Sequence, residues 1–179
     1  MEKRLVGEQV DLHPTHQDDL AFLLQLWNDG EVMSYVGYPQ GLGIDEQGME
    51  AWFTRLGVDR GVDREHWIVK DEQGERIGEA FYKVEQEYCD YRAENMVHVD
   101  IKLAKRFWKQ GYAADALRTL TQHLFNNLGI ETIVVSPNLA NKAALKLYRY
   151  LGFKPENQFQ VEETQMGHRV WALHKSKPL

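Results

Sequence analysis

The residues best suited to chemistry lie around Gly111, where the hydrophobic pattern of the chain changes period. Apolar residues alternate before this glycine and recur at helical spacing after it: Val97, Val99, Ile101 and Leu103, then Ala113, Leu117, Leu120 and Leu124. This change predicts a strand that leads into a helix. The first turn of a helix presents unpaired backbone N–H groups and the positive end of the dipole, and Lys105, Arg106 and Lys109 precede it. We therefore predict a phosphate-binding turn at this position, with an ordinary strand-to-helix turn as the alternative interpretation.

The charges of the chain are distributed unevenly around a net charge of -6. Residues 1–56 contain ten acidic side chains against Lys3, Arg4 and Arg55, whereas residues 102–118 contain five basic side chains against Asp115. The acidic part is suited to a cation and the basic part to an anion, although a solvated acidic surface is an equal interpretation of the first. The net negative charge disfavours nucleic acid as a partner.

Length and composition indicate one packed unit. A chain of 179 residues with 43% hydrophobic residues is long enough for one full core, and we expect a single domain over residues 1–179. No apolar run approaches the roughly 18 residues of a membrane span, and residues 1–10 lack a signal-peptide core, so we expect a cytoplasmic protein that binds no membrane. The single cysteine, Cys89, excludes an internal disulfide and is interpreted as an ordinary thiol.

The N-terminal half is predicted to contain one strand and two helices. Val10 and Leu12 indicate a strand that Pro14 ends, and Thr15 with Asp18 resembles a capping box that opens a first helix. Asp45 is predicted to cap a second helix of about three turns. The tandem repeat Gly-Val-Asp-Arg over residues 57–64 is interpreted as a charged loop of unassigned role.

The rest of the chain is predicted to alternate strands and helices. Residues 66–70 and 76–84 indicate a hairpin, and residues 85–95 a polar loop that leads into the central strand. After the central helix we expect a strand at residues 132–135 and then a helix capped by Asn141 and ended by Gly152, with Asn141, Ala144 and Tyr148 on one face. A final hairpin is expected from residues 159–164 and 169–174. The predicted order is β-αα-βββ-α-β-α-ββ in one α/β domain.

This order resembles that of the GNAT superfamily of N-acetyltransferases, and two segments carry the resemblance. Val-Asp-Ile-Lys-Leu (99–103) followed by Trp-Lys-Gln-Gly-Tyr-Ala (108–113) is similar to the acetyl-CoA signature Q/R-x-x-G-x-G/A. Residues 141–153, Asn-Lys-Ala-Ala-Leu-Lys-Leu-Tyr-Arg-Tyr-Leu-Gly-Phe, are similar to the last helix of the family. The N-terminal pattern, including Trp-Asn-Asp-Gly-Glu-Val-Met-Ser-Tyr (27–35), resembles the branch of ribosomal-protein N-terminal and spermidine acetyltransferases.

The resemblance implies an α/β (α+β) fold with a mixed, mostly antiparallel central sheet that splays between its fourth and fifth strands and is flanked by helices. It also implies acetyl-CoA as the cosubstrate. The backbone of Ile101 to Leu103 would pair with the pantetheine arm, with the Ile101 N–H polarising the thioester carbonyl. Asn141 would contact the same arm, and Tyr148 would act as general acid near the sulfur. The backbone of the turn would hold the pyrophosphate, and the implied cofactor-binding residues are Ile101, Lys102, Leu103, Trp108, Lys109, Gln110, Gly111, Tyr112, Ala113, Ala114 and Asn141.

Three positions depart from the family pattern. Trp108 occupies the usual Gln or Arg of the signature, and Ala144 stands where many members have serine. His98 stands where many relatives in this branch have glutamate. These departures leave open a non-catalytic acyl-CoA-binding module, against which the presence of Asn141 and Tyr148 argues.

His98 and Asp100 are candidates for proton transfer and for binding of the acceptor. They alternate onto one face of the central strand. A lysine-like amine, with a pKa of about 10.4, is mostly protonated at pH 7, so a base is useful for acetyl transfer. His98 could accept the amine proton, and Asp100 could attract the cation or orient His98. A structural histidine and a salt-bridged aspartate are the alternatives, and an H-x-D pair without a third ligand does not indicate a metal site.

These observations predict an acetyl-CoA-dependent N-acetyltransferase in which a primary amine attacks the thioester directly, with no metal. The acidic N-terminal half favours a cationic small molecule, such as a polyamine or an aminoglycoside-like compound. A protein N-terminus is the alternative acceptor, for which the aromatic loop at residues 34–39 would be a groove edge; with a small amine it would be a lid. Edge strands near the C-terminal hairpin would allow a homodimer.

Overall fold

The computed structural model describes residues 4–61, 63–161 and 166–176. The strands are β1 (Leu5–Val6), β2 (Val10–Pro14), β3 (Arg64–Asp71), β4 (Arg76–Tyr88), β5 (Tyr91–Leu103), β6 (Thr132–Val135), β7 (Lys154–Val161) and β8 (Met166–His174). The α-helices are α1 (Leu20–Trp27), α2 (Gly30–Met33), α3 (Glu46–Asp59), α4 (Tyr112–Asn127) and α5 (Lys142–Tyr150). The predicted order is confirmed, with the short strand β1 and the short helix α2 in addition.

The strands form one open sheet in the order β1-β2-β3-β4-β5-β6-β8-β7. Every neighbouring pair is antiparallel except β5 and β6, which are parallel and pair only between Met96–His98 and Thr132–Val134. Beyond His98 the two strands separate. The sheet is therefore mixed, mostly antiparallel and splayed between the predicted fourth and fifth strands, which are β5 and β6.

Helices cover both faces of the sheet. On one face α4 buries an apolar stripe against strand residues such as Val97 and Val99, and the stripe consists of Ala116, Leu117, Leu120 and Leu124. On the other face α1 and α3 enclose a second cluster around Ile68 of β3. Such two-sided burial follows from the 3.6-residue period of the helices and explains why the strands are largely apolar.

The start of α4 is fixed by a buried carboxylate. Asp115, in the first turn, is 2% exposed and accepts backbone N–H groups from Glu8, Gln9 and Val10 at 3.1, 2.8 and 3.0 Å. A carboxylate there is also favoured by the helix dipole. Asp115 therefore ties the segment before β2 to the first turn of α4.

The prediction of a polar loop at residues 85–95 is wrong. β4 and β5 continue to Tyr88 and Tyr91 and are joined by a two-residue turn, Cys89 and Asp90, both with positive φ (49° and 64°). Two positive φ values are typical of the type I′ hairpin turn, which usually contains glycine or asparagine. Neither residue type is present at these two positions, so the turn signal was missing.

Three smaller predictions also need correction. The first N-terminal cap is His16 rather than Thr15: the His16 N–H donates to Asp19 Oδ2 at 2.8 Å. The tandem repeat is not wholly a loop, because α3 continues through Asp59. The final hairpin pairs residues 154–161 with 166–174, earlier than predicted, and residues 162–165 lie outside the described residues.

Within the described ranges, no helix is both long enough and apolar enough to cross a membrane.

Candidate active site

A cleft of about 1400 Å³ opens where β5 separates from β6. Its lining comes mainly from the C-terminal half of β5, the turn before α4, the segment after β6, and α5. Val32, Tyr35 and Val36 from the region of α2, and Tyr88 and Cys89 from the end of β4 and the turn after it, complete the lining. All the predicted site residues line it except Gln110, whose side chain donates to the Arg106 carbonyl at 2.7 Å. The structure therefore brings together His98, Asp100 and Tyr148 with the predicted turn.

The turn before α4 has the backbone conformation of an anion site. Gly111, at the N-cap, has φ +89°, and Lys109 two residues earlier has φ +60°. The first backbone N–H groups of an α-helix lack partners within the helix, and the residues that carry them in α4, Tyr112 to Ala114, line the cleft together with Gly111. This geometry is suited to a phosphate group.

Most basic side chains near this turn are paired with acids. Lys105 contacts Glu31, Arg106 contacts Glu75, and Lys102 reaches away from the turn. Lys109 is exposed and lines the cleft. Two further basic residues, Lys142 and Lys146 of α5, line the same cleft and were not among the predicted site residues. A phosphate group at this turn would therefore be held by backbone donors more than by the predicted basic run.

The Ile101 N–H is occupied in the structure. It donates to Asp100 Oδ1 at 2.9 Å, while Asp100 Oδ2 contacts the Lys102 ammonium. Both carboxylate oxygens are thus engaged on the strand itself. Polarisation of a thioester carbonyl by the Ile101 N–H requires the Asp100 oxygen to leave this donor.

His98 is held between two aromatic rings. Tyr88 stacks on it with ring centroids 4.0 Å apart, and Phe81 meets it edge to face at 5.7 Å. Burial lowers the pKa of His98 below its ordinary value of 6.5, although Asp100 and Glu85 oppose this change. The imidazole is therefore neutral at pH 7, and its nitrogens make no hydrogen bond to the described residues. A neutral imidazole facing the cleft can accept a proton.

Tyr148 lies on α5 with its ring 6% exposed. Its ring packs edge to face on Phe153 at 5.4 Å, and among the described residues no hydrogen-bond acceptor meets its hydroxyl. Burial, together with the charge of Asp100, raises the pKa of Tyr148 far above its ordinary value. The hydroxyl therefore stays protonated at neutral pH and is available as a proton donor.

Asn141 has a structural role in placing Tyr148. Its side-chain oxygen accepts the Ala144 N–H at 3.1 Å and caps α5, as predicted. Asn141, Ala144 and Tyr148 all line the cleft, in agreement with their predicted common face.

The sequence analysis missed the polar residues at the far end of the cleft. The Tyr88 hydroxyl and Ser136 Oγ are 2.8 Å apart, and the Asn138 amide donates to the Tyr35 carbonyl at 3.4 Å. These contacts join the β4–β5 hairpin and the segment after α2 to the segment after β6. Tyr88 lies in the segment that was mispredicted as a loop, and no local pattern in the sequence marked it as a site residue.

The comparisons with known proteins agree with this geometry. The chain matches the sequence model of the acetyltransferase (GNAT) domain over residues 9–154. An uncharacterized N-acetyltransferase of Bacillus licheniformis, p20, is 26% identical over 168 residues, which cover 93% of this chain and 90% of that protein.

Two solved structures share the fold. Spermidine N-acetyltransferase from Vibrio cholerae, in complex with CoA and spermine, superposes with a TM-score of 0.79 at 22% sequence identity. The match covers 93% of this chain and 95% of the Vibrio cholerae chain. Aminoglycoside acetyltransferase AAC(6')-Ib, in complex with coenzyme A, superposes with a TM-score of 0.75 at 17% sequence identity. The match covers 93% of this chain and 95% of the aminoglycoside acetyltransferase chain. The family match spans well over half of the chain, so this protein belongs to the GNAT family of acetyltransferases and takes its acetyl group from acetyl-CoA.

Proposed function

We propose that the protein is an N-acetyltransferase that moves the acetyl group of acetyl-CoA to a primary amine of a cationic small molecule, polyamine-like or aminoglycoside-like. One observation carries the proposal: a single cleft is lined by the phosphate-type turn at Gly111, by His98 and Asp100 of β5, and by Tyr148. The spermidine and aminoglycoside acetyltransferases that share the fold act on such amines, which supports the acceptor class.

The cosubstrate would lie along the splayed edge of β5. In this proposal the backbone of Ile101 to Leu103 pairs with the pantetheine arm, because this part of β5 has no strand partner on the β6 side. The N–H groups of residues 109–114 hold the pyrophosphate. The backbone of Lys102 and Trp108 lines the part of the cleft in which the cosubstrate would lie. The Asn141 amide nitrogen remains free to meet the arm while its oxygen caps α5.

The reaction is a direct transfer. The amine nitrogen attacks the thioester carbon, the C–N bond forms and the C–S bond breaks. His98 takes the amine proton, directly or through water, and Tyr148 gives its proton to the departing thiolate. The Ile101 N–H stabilises charge on the carbonyl oxygen. Asp100 attracts the cationic acceptor, since it is the one carboxylate among the described cleft-lining residues.

A protein N-terminus is the second candidate acceptor, favoured by one surface. Tyr35 and Val36 line the cleft and are 38% and 42% exposed, and the neighbouring Tyr38 is 46% exposed. Exposed aromatic side chains at a cleft mouth are suited to a peptide chain.

The proposal is tested by thiol release from acetyl-CoA against a panel of polyamines, aminoglycosides, amino-acid amides and ribosomal N-terminal peptides. We expect saturable turnover with a polyamine or aminoglycoside, and a fall of roughly 10²- to 10⁴-fold in kcat for Tyr148→Phe with acetyl-CoA affinity retained. Tyr91→Phe, outside the cleft, is the matched control and should keep wild-type rates. Turnover of peptides alone would show that the acceptor is a protein N-terminus and not a cationic small molecule. Full activity of Tyr148→Phe would show that Tyr148 is not the general acid.

A further inference from the structure

The Lys102 ammonium lies between two carboxylates, Asp100 and Glu79. It contacts Asp100 Oδ2 and lies 3.4 Å from Glu79 Oε1. Only 13% of the side chain is exposed. The lysine therefore links a buried acid of β4 to the carboxylate that faces the cleft.

Glu79 is itself fixed by neutral and basic donors. Its Oε2 accepts the Trp27 indole N–H at 2.9 Å and lies 2.8 Å from His66 Nε2. His66 Nδ1 in turn lies 2.7 Å from Thr15 Oγ1. Burial would raise the pKa of Glu79, but Lys102, His66 and Trp27 together lower it to about 2. The buried Glu79 carboxylate is therefore ionised and held in place, and it fixes the position of the Lys102 ammonium.

We propose that Lys102 is a positioning residue for acetyl transfer: anchored by Glu79, its ammonium holds the Asp100 carboxylate at the acceptor end of the cleft. The inference rests on the proposed function of Asp100. In the structure Asp100 has a second anchor, the Ile101 N–H at 2.9 Å. When the thioester carbonyl takes that N–H, Lys102 is the anchor that stays, and the released oxygen faces the incoming amine.

A purely structural pair would behave differently from a positioning pair. Breaking a buried ion pair by removing one charge leaves the other uncompensated and destabilises the fold, whereas replacing both charges with neutral groups of similar size is often tolerated. A structural effect also lowers activity by the same factor whether or not Asp100 is present. A positioning effect acts through Asp100 and disappears with it.

The test is a double-mutant cycle on kcat/KM for the amine. The neutral pair Glu79→Gln/Lys102→Met is placed in the wild-type background and in the Asp100→Asn background. We expect a loss of about tenfold in the first and no further loss in the second, with acetyl-CoA affinity unchanged throughout. An equal loss in both backgrounds would overturn the proposal. Lys102→Arg keeps the charge but moves it, and it serves as a second variant in the same cycle if the neutral pair does not fold.

The neutral pair Asp19→Asn/Arg76→Met is the matched control, because Arg76 of β4 contacts the buried Asp19 at 2.7 Å and neither residue lines the cleft. Its effect should be the same in both backgrounds. Two failures are distinguishable. If Asp100→Asn keeps the wild-type kcat/KM, the proposed role of Asp100 fails and Lys102 has nothing to position. If Asp100→Asn is impaired and the losses add, only the positioning role fails.

Discussion

At the scale of single residues, the ionisation of His98 affects stability as well as the proton transfer that we propose for it. Burial lowers the pKa of His98 from 6.5, so at pH values just below 6.5 the unfolded chain binds more protons than the folded one. Stability from this group is therefore complete above about pH 6.5 and is lost as the pH falls toward the folded pKa. His98→Gln should lose less of its free energy of unfolding than the wild type between about pH 7.5 and about pH 5.5.

Urea unfolding at the two pH values measures this difference, and the same variant reports on catalysis. We expect turnover of His98→Gln to fall roughly 10²-fold or more, because no neutral imidazole accepts the amine proton. His174→Gln removes an exposed imidazole and controls for composition. If His98→Gln shows the pH dependence of stability and the turnover of the wild type, His98 contributes neither to the pH dependence nor to catalysis.

The residue types of the site could be predicted from the sequence, but their partners could not. The period of two along β5 placed His98 and Asp100 on one face, and the spacing of α5 placed Asn141 with Tyr148. Nothing in the local sequence predicted that Lys102 would turn inward to Glu79, which is 23 positions away in the chain and opposite it only through the β4–β5 register. Such contacts depend on strand pairing, which a single sequence does not specify.

At the scale of elements, the start of α4 depends on the left-handed conformation of Gly111. A Cβ at this position would be strained at φ +89° and would meet the Gln9 side chain at 3.3 Å. Gly111→Ala should cost about 1 to 2 kcal/mol of stability and also shift the backbone donors that we propose hold the cosubstrate. We expect acetyl-CoA affinity, measured by calorimetry, to fall about tenfold or more.

Gly129→Ala provides the matched control at the other end of the same helix. Gly129 has φ +67°, and a Cβ at this position would meet no described atom within 4 Å, so the substitution carries backbone strain without touching the turn. It should lower stability to a similar extent and leave acetyl-CoA affinity unchanged. Equal affinities for the two variants would show that the turn does not hold the cosubstrate.

The strand and helix elements followed from hydrophobic period wherever the pattern was long. β6 has the predicted bounds, and α4 begins directly after Gly111 as predicted, because a β-branched run or a buried stripe is a strong signal. The β4–β5 hairpin was missed because its turn, Cys89 and Asp90, lacks the usual residues and because its polar strands extend beyond the core. The splay between β5 and β6 came from the family resemblance, not from the pattern.

At the scale of the whole molecule, the acidic N-terminal half is largely used by the fold itself. Asp19 pairs with Arg76 and Glu31 with Lys105, while Asp29 and Asp45 cap α2 and α3. The excess of acids in the sequence therefore overstates the charge available to a ligand. Selectivity for the cationic acceptor that we propose would therefore depend mainly on Asp100, the one carboxylate among the described cleft-lining residues.

The central claim is direct transfer between two substrates bound in one cleft, and the initial-velocity pattern with both substrates varied tests it most directly. Direct attack requires a ternary complex, so double-reciprocal lines should intersect and no acetyl group should remain on the protein. Cys89 also lines the cleft and is the one thiol in the chain. Parallel lines, with an acetylated Cys89 found by mass spectrometry and lost in Cys89→Ser, would show a covalent relay and contradict the account.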